Sequence, residues 1–196
     1  MMRRHAARAM VCICVALAAG CTSSPARFYT LGATAAPAGA TSKLSVAVGP
    51  ISVPAAVDRP QIVVSAGANQ VALDDFNRWA SPLQDNVARV IAENLVALLG
   101  TPRVTLFPQT LSADVDYRVQ VEIRNFESAP GKSASLDALW TVRRVKDGRT
   151  ETGRTSAREN VGDASFDALA AAHSRALERL SADIADAIRA LDRGAS

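Results

Sequence analysis

The residue with the most distinctive chemistry is Cys21, which ends the run Leu17-Ala18-Ala19-Gly20-Cys21. Small residues before a cysteine, at the end of a charge-free apolar stretch, are typical of a lipobox. There a bacterial signal peptidase cuts between Gly20 and Cys21, and the cysteine carries lipid. Three arginines precede the apolar stretch, and Val11–Ala19 is shorter than the roughly 20 apolar residues that cross a bilayer. The sequence therefore predicts a signal peptide over residues 1–20 and lipidation at Cys21.

Lipidation would fix the mature chain to a membrane. A single acyl chain binds only marginally, whereas two or more chains anchor stably at ~0.8 kcal/mol per buried methylene. Thr22 follows the cysteine, in the place where an aspartate commonly signals retention in the inner membrane. We therefore expect a palmitate-type anchor in the outer membrane, with the folded part facing the periplasm.

Few other side chains offer covalent or metal chemistry. Cys12 and Cys14 would leave with the leader, and His173 is the one histidine of the mature chain. The mature chain would then have no free thiol, and a single histidine makes a zinc site only if several carboxylates converge on it. We expect neither a metal nor a cofactor.

Paired carboxylates are the one catalytic device that composition leaves open, at Asp74-Asp75 and at Asp114 with Asp116. Their context favours a turn or helix approach for the first pair and the solvated face of a strand for the second. Gly100-Thr101-Pro102 closes a predicted helix, so it does not form a phosphate-binding loop, and the sequence contains no nucleophile elbow. The pattern predicts a protein that is not an enzyme.

The formal net charge of +3 belongs to the leader. Three of the 22 Lys and Arg residues precede Cys21, whereas all 19 acidic residues follow it. The mature chain is therefore close to neutral. This argues against nucleic acid as a partner, because such binding requires a basic face.

The first of two long helices is predicted over residues 82–99. Ser81 is expected as its N-cap, Pro82 in its first position, and Gln84 as the second member of a capping box. Gly100 would end it in a left-handed conformation.

The second helix is predicted from about Phe166 to Leu191, with Ser165 as its cap. Its apolar seam is predicted to comprise Leu169, His173, Leu177, Leu180, Ile184, Ile188 and Leu191. At His173 a hydrogen-bonded residue at the border of the core is expected.

Alternating apolar and polar residues predict the strands. The alternation is most regular over 115–124 and continues at 136–142 and around 150–161, with Asp147-Gly148 as a type I′ turn between the last two. Shorter strands are predicted at 44–48 and 104–107. A hairpin with a four-residue loop is predicted to join 62–65 to 70–73.

These elements predict an α/β fold: a mixed, mostly antiparallel sheet with two long helices packed on one face. Residues 21–42, which are rich in Ala, Thr, Pro and Gly, are expected to form the lipidated N-terminus and a flexible tether in which Phe28-Tyr29-Thr30-Leu31 docks. Residues 43–193 would form a single domain.

Four residues around the start of the first helix are candidates for an interface: Arg78, Trp79, Pro82 and Leu83. In a structural interpretation, Trp79 fills the core beneath the helix and Arg78 pairs with Asp74 or Asp75. In a functional one, the segment is a contact surface, because Trp and Arg often anchor interfaces. The sequence favours the structural interpretation and leaves both open.

Four blocks of sequence follow one another in an order that is typical of a known family. They are the lipobox with Phe28-Tyr29-Thr30-Leu31, then 48–54, then 58–63, then 78–83 with the helix through Leu95. In this order they resemble the ABC-type transport auxiliary lipoproteins, the PqiC-like family. The blocks cover most of residues 21–100, while the second half matches only in its strands and closing helix. Val57 departs from the aromatic residue or leucine that the family often has before Asp-Arg-Pro.

The resemblance implies a non-enzymatic outer-membrane lipoprotein with a fold similar to the TolB N-terminal domain. It implies a homo-oligomeric ring that docks the periplasm-spanning conduit of an MCE-domain protein in an intermembrane lipid transport system, and so supports envelope integrity. The alternative is a lipoprotein that itself binds lipid or assists outer-membrane protein assembly. An enclosed apolar cavity would favour that alternative.

Overall fold

The computed structural model describes residues 25–39, 41–108 and 115–194. Gly20, Cys21 and Asp114 lie outside the described residues, as does the whole predicted signal peptide. The described elements comprise eight strands and two helices. The strands are β1 (Arg27–Tyr29), β2 (Val46–Ser52), β3 (Gln61–Gly67), β4 (Gln70–Trp79), β5 (Val104–Leu106), β6 (Tyr117–Ala129), β7 (Ser133–Arg144) and β8 (Thr150–Asn160). The helices are α1 (Leu83–Leu99) and α2 (Phe166–Arg193).

The strands form two mixed sheets where one was predicted. The larger has the order β5-β2-β6-β7-β8 and the smaller β1-β4-β3. β2 is parallel to β5 and β6, whereas β6, β7 and β8 form an antiparallel meander. The β3–β4 hairpin pairs with β1 and so forms the smaller sheet. The mixed α/β fold with two packed helices is confirmed, and its division into two sheets is a correction.

Both helices lie on one face of the larger sheet, as predicted. The inward side chains of β6 are almost completely buried, with Val119 at 0% and Val121 and Ile123 at 3% exposure. Fully burying such a side chain stabilises a fold by about 1.5–3 kcal/mol. The predicted seam of α2 is confirmed in full, since each of its members is buried: Leu169, His173, Leu177, Leu180, Ile184, Ile188 and Leu191.

The helix ends differ in part from the prediction. Pro82 takes the N-cap position of α1 with an extended backbone, and no side chain caps the helix, so the capping box of Ser81 and Gln84 is wrong. Ser81 lies one residue too early to reach the first free N–H groups. Gly100 does end α1 in the left-handed conformation, with φ 63°. Ser165 caps α2 as predicted, accepting a hydrogen bond from the Ala168 amide.

Two turns also differ. Only Ala68 and Asn69 separate β3 from β4, so the hairpin loop has two residues instead of four. Between β7 and β8, Gly148 has φ 73° while no described non-glycine residue has a positive φ, which excludes a type I′ turn. Asp147 instead accepts a hydrogen bond from Arg144 Nε at 3.0 Å and stabilises a wider loop.

The described part of the expected tether belongs to the fold. β1 pairs in parallel with β4 over Arg27–Tyr29, and Leu31 is completely buried. Further along, the Ala38 amide donates to the Ala97 carbonyl of α1 at 2.8 Å. We call residues 30–38 the N-terminal strap. Low-complexity composition suggested a loose segment, but its backbone amides find acceptors on both helices.

In the described part of the chain, neither helix combines the length and apolarity needed to cross a membrane.

Candidate docking site

Two segments that lie apart in the sequence meet at the start of α1. The Trp79 amide donates to the Pro60 carbonyl at 2.8 Å, and Arg78 is the register partner of Gln61. The two segments, residues 58–60 and 79–82, together line an open groove of about 340 Å³ on the surface. We call this the corner groove, and its lining residues are Asp58, Arg59, Pro60, Trp79, Ala80, Ser81 and Pro82.

Trp79 forms the floor of the corner groove and is part of the core. Its side chain is 5% exposed and meets Phe126 edge-on, with ring centroids 6.3 Å apart. Leu83 is completely buried. Of the four candidate interface residues, these two therefore have the structural role that the sequence favoured.

Arg78 and Pro82 are the two candidates that a partner can reach. Pro82 is exposed and Arg78 is half-buried. The Arg78 Nε donates to the backbone carbonyl of Asp75 at 2.9 Å, and no ion pair joins Arg78 to a carboxylate of the described residues. The predicted pairing with Asp74 or Asp75 is therefore wrong, because the Asp74 carboxylate is used by the backbone.

Two of the carboxylates considered for catalysis, Asp74 and Asp116, have structural partners. Asp74 Oδ1 accepts hydrogen bonds from the amides of Phe76 and Asn77 at 3.0 and 2.8 Å, which shapes a bulge in β4. Asp116 Oδ2 accepts from both the amide and the hydroxyl of Ser45 at 2.7 Å, which fixes the start of β2 beside β6. Asp74 lies in strand β4, and not in a turn or helix approach.

His173 is an interior residue, whereas the sequence placed it at the border of the core. It is completely buried, stacks on Phe126 at 3.8 Å between ring centroids, and has Nε2 2.8 Å from Ser128 Oγ. Burial lowers the pKa of His173 to about 3. Nδ1 has no hydrogen-bond partner among the described residues, so the ring lacks the orienting group that a catalytic serine–histidine pair uses. We interpret the contact as packing.

Polar side chains that were not among the predicted site residues hold the N-terminal strap. Asn94 Oδ1 accepts from the amides of Thr34 and Ala35, each at 3.1 Å. Ser174 Oγ accepts from the Gly32 amide at 3.1 Å. The sequence carried a signal for both residues, because Asn94 and Ser174 interrupt the apolar faces of the two helices. A buried Asn or Ser in such a face requires a hydrogen-bond partner.

Arg89 completes the attachment of the strap. Its guanidinium donates to the Leu31 carbonyl and to the Thr30 hydroxyl, and it also contacts Glu93 one turn further along α1. The strap is therefore held by charged as well as neutral donors and acceptors.

A second open groove, of about 350 Å³, lies between the β3–β4 hairpin and β6. Pro54, Val57, Val63 and Phe126 contribute its apolar lining, and Arg124 and Glu127 contribute charge. Both grooves are at the lower end of the volumes of small-molecule sites. They fit a few side chains of a partner protein better than an enclosed lipid.

Within residues 25–39, 41–108 and 115–194, no three His, Cys, Asp or Glu side chains gather as metal ligands.

The fold and its surface define the class: a small mixed α/β domain with a strapped N-terminus and an open groove at the start of its first helix. A family model for the ABC-type transport auxiliary lipoprotein component matches residues 29–185. The chain therefore belongs to this family of membrane-associated transport lipoproteins.

Solved structures support the fold. A crystal structure of an uncharacterized protein aligns with a TM-score of 0.69 and 18% identity over 84% of this chain and 99% of that chain. A Xanthomonas campestris protein of the DUF330 family aligns with a TM-score of 0.68 and 17% identity, covering 87% and 100% of the two chains. The PelC dodecamer from Paraburkholderia phytofirmans aligns at 0.39 with 16% identity over 77% and 89%, too low a score to support any argument. No curated protein matches the sequence.

Proposed function

We propose that this chain is the outer-membrane subunit of an MCE-type intermembrane lipid transport system. It is anchored through acylated Cys21, faces the periplasm, and docks the far end of a conduit formed by an MCE-domain protein. It works as a homo-oligomeric ring, carries no cofactor and catalyses no reaction. The observation that carries the proposal is membership of the transport auxiliary lipoprotein family over residues 29–185.

The geometry of the corner groove is compatible with docking. Pro60 and Pro82 offer rigid apolar contact surface beside Arg59, and arginine is common at interface centres. Trp79 supports the groove from the core, so its shape is set before a partner binds. Anchoring many copies in one membrane plane also raises their effective concentration, and weak contacts between copies then suffice.

The test is affinity purification of the tagged protein from its native envelope in mild detergent, with mass spectrometry of proteins and lipids. The matched control is Cys21→Ala expressed behind a leader for a non-lipidated periplasmic protein. We expect an MCE-domain protein with the wild type and much less of it with the control. Recovery of the wild type alone with stoichiometric lipid would refute docking and support the carrier alternative.

A further inference from the structure

The smaller sheet exposes two aromatic rings close to the predicted lipid anchor. Phe28 on β1 is 64% exposed, and Phe76 on β4 is 48% exposed. Phe28 is the register partner of Arg78, and Phe76 lies two residues before Arg78 in β4. Phe28 and Arg78 are side by side in the β1–β4 ladder and share a face, whereas Asn77 between Phe76 and Arg78 lies on the other side, where its Oδ1 accepts from the Tyr29 hydroxyl at 2.9 Å. Phe76 is therefore on the face of Phe28 and Arg78. We call Phe28, Phe76 and Arg78 the aromatic face.

The neighbouring residues in the register point the other way. Trp79 is buried in the core, and Tyr29 is half-buried against Phe166 with ring centroids 5.9 Å apart. The sheet thus has one aromatic side packed inward and another turned outward. The protein contacts of β1 and β4 do not account for the outward rings.

The length of the chain places this face near a bilayer. Phe28 follows Cys21 by seven residues, and seven extended residues span at most roughly 25 Å. An acylated Cys21 therefore holds the aromatic face within that distance of the membrane surface. Phe107, the other phenylalanine with large exposure at 47%, lies just after β5 at the far edge of the other sheet.

We propose that the aromatic face rests on the phospholipid bilayer that holds the anchor, with Phe28 and Phe76 inserted at headgroup level. Exposed apolar rings enter this region readily, and an arginine beside them keeps its charge among the headgroups while its methylenes contact apolar surface. The contact fixes the orientation of the domain on the membrane, which the lipid anchor alone leaves free. This inference rests on the proposed acylation of Cys21.

The charges around the face predict what kind of bilayer it contacts. Arg78 is the one charged residue of the aromatic face, and its half-buried guanidinium is engaged by the Asp75 carbonyl at 2.9 Å. The rings supply most of the attraction, and membrane contact is expected to depend little on salt or on the fraction of anionic lipid.

The first test uses the acylated protein in vesicles of phosphatidylethanolamine and phosphatidylglycerol. Because the predicted mature chain has no other thiol, Phe28→Cys labels uniquely with nitrobenzoxadiazole, and Phe107→Cys is the matched control. We expect a blue-shifted emission at position 28 that spin-labelled lipids quench, and a water-like emission at position 107. Equal, unquenched emission at both positions would overturn the proposal. So would a blue shift that lipids do not quench and that grows with protein density, because a second copy would then cover the face.

The second test removes the anchor and measures the face alone. Protein carrying Cys21→Ala behind a non-lipoprotein leader is sedimented with vesicles, with and without Phe28→Ser and Phe76→Ser. The double variant is expected to partition roughly tenfold more weakly, because two exposed rings leave the apolar region. Phe107→Ser is expected to match the parent. Equal partition of all forms, or no partition of the parent, would overturn the proposal.

Two further measurements distinguish a failure of this inference from unfolding of the variants and from absence of the lipid anchor. Thermal melts show whether the serine variants are folded, and both rings are exposed enough that little change is expected. Mass spectrometry of the N-terminal peptide reports the acyl chains directly. An unacylated Cys21 would refute the anchor and this inference with it, whereas an acylated protein with a water-exposed position 28 would refute the inference alone.

Discussion

His173 shows how a single buried group ties the stability of this domain to pH. Its imidazole has no contact with solvent and stacks on Phe126, and burial lowers its pKa to about 3 from an ordinary 6.5. The folded state therefore binds fewer protons than the unfolded state between these two values. The free energy of unfolding does not change with pH through this group above pH 6.5, and it decreases as the pH falls from 6.5 towards 3.

We predict that the free energy of unfolding decreases by up to about 1.4 kcal/mol per pH unit below pH 6.5 through this group. His173→Gln keeps a polar partner for Ser128 and cannot titrate, so it should flatten the profile in that range. Urea unfolding between pH 4 and pH 7 measures both slopes. Parallel slopes for the two proteins would contradict the assignment.

Position 153 has no room for a side chain larger than that of glycine. A Cβ at this position would lie 2.2 Å from Trp140 Cζ2, because Trp140 faces Gly153 across the β7–β8 ladder. The indole is held there by a 3.1 Å hydrogen bond from Trp140 Nε1 to Thr155 Oγ1.

Gly153→Val is expected to cost about 1–3 kcal/mol, as overpacked sites do, and to shift the tryptophan emission as Trp140 is displaced. Chemical unfolding followed by fluorescence gives both quantities. Gly162→Ala is the matched control, since a Cβ there meets no atom within 4 Å. A neutral Gly153→Val would show that the indole moves without cost.

At the scale of elements, two neighbouring residues at the end of β4 have different environments. Trp79 lies in the core beneath the groove, whereas Arg78 is half-buried on the opposite, outward face of β4 and forms no ion pair with the described carboxylates. The two residues are adjacent in sequence, yet their substitution should give different results.

Trp79→Ala is expected to destabilise the fold by about 3–5 kcal/mol, the usual cost of removing a buried aromatic side chain. Arg78→Ala should leave the melting temperature nearly unchanged, because its side chain forms one hydrogen bond to a backbone carbonyl near the surface. Melts of both variants decide the matter. Equal losses of stability would mean that Arg78 is structural too.

Asn94 holds the N-terminal strap through two of its backbone amides. Asn94→Ala leaves the amides of Thr34 and Ala35 without their acceptor, which is expected to cost about 1–3 kcal/mol. Hydrogen exchange should accelerate across residues 31–38 while β6 and β7 stay protected. Gln84→Ala, an exposed position of the same helix, is the control and should change neither. Unchanged exchange in Asn94→Ala would show that the strap is held elsewhere.

At the scale of the whole molecule, β1 and the strap make residues 27–38 part of the folded unit. A protein that begins at residue 43 lacks β1 and Leu31, so Trp79 and the helix pair lose their cover. We predict that it unfolds at a clearly lower temperature than a protein that begins at residue 25. Parallel thermal melts by circular dichroism test this. Equal melting temperatures would show that residues 25–42 do not stabilise the fold.

The sequence by itself determined what depends on local pattern. The periods of 2 and 3.6 residues identified both helices and the long strands, Gly100 and Ser165 marked helix ends, and ordered motifs from Phe28 to Leu95 indicated the family. The seam of α2 was complete for the same reason, since an amphipathic helix shows its buried face in the spacing of its residues.

Only the tertiary structure decided the relations between distant residues. The second sheet depends on the long-range pairing of β4 with β1, and the binding of residues 30–38 depends on Asn94 and Ser174 of two different helices. The approach of residues 58–60 to Trp79 is likewise a long-range contact. A one-dimensional pattern records which side chains avoid water, but it does not record which partner satisfies each buried polar group, and that partner fixed the strap, the corner groove and the position of His173.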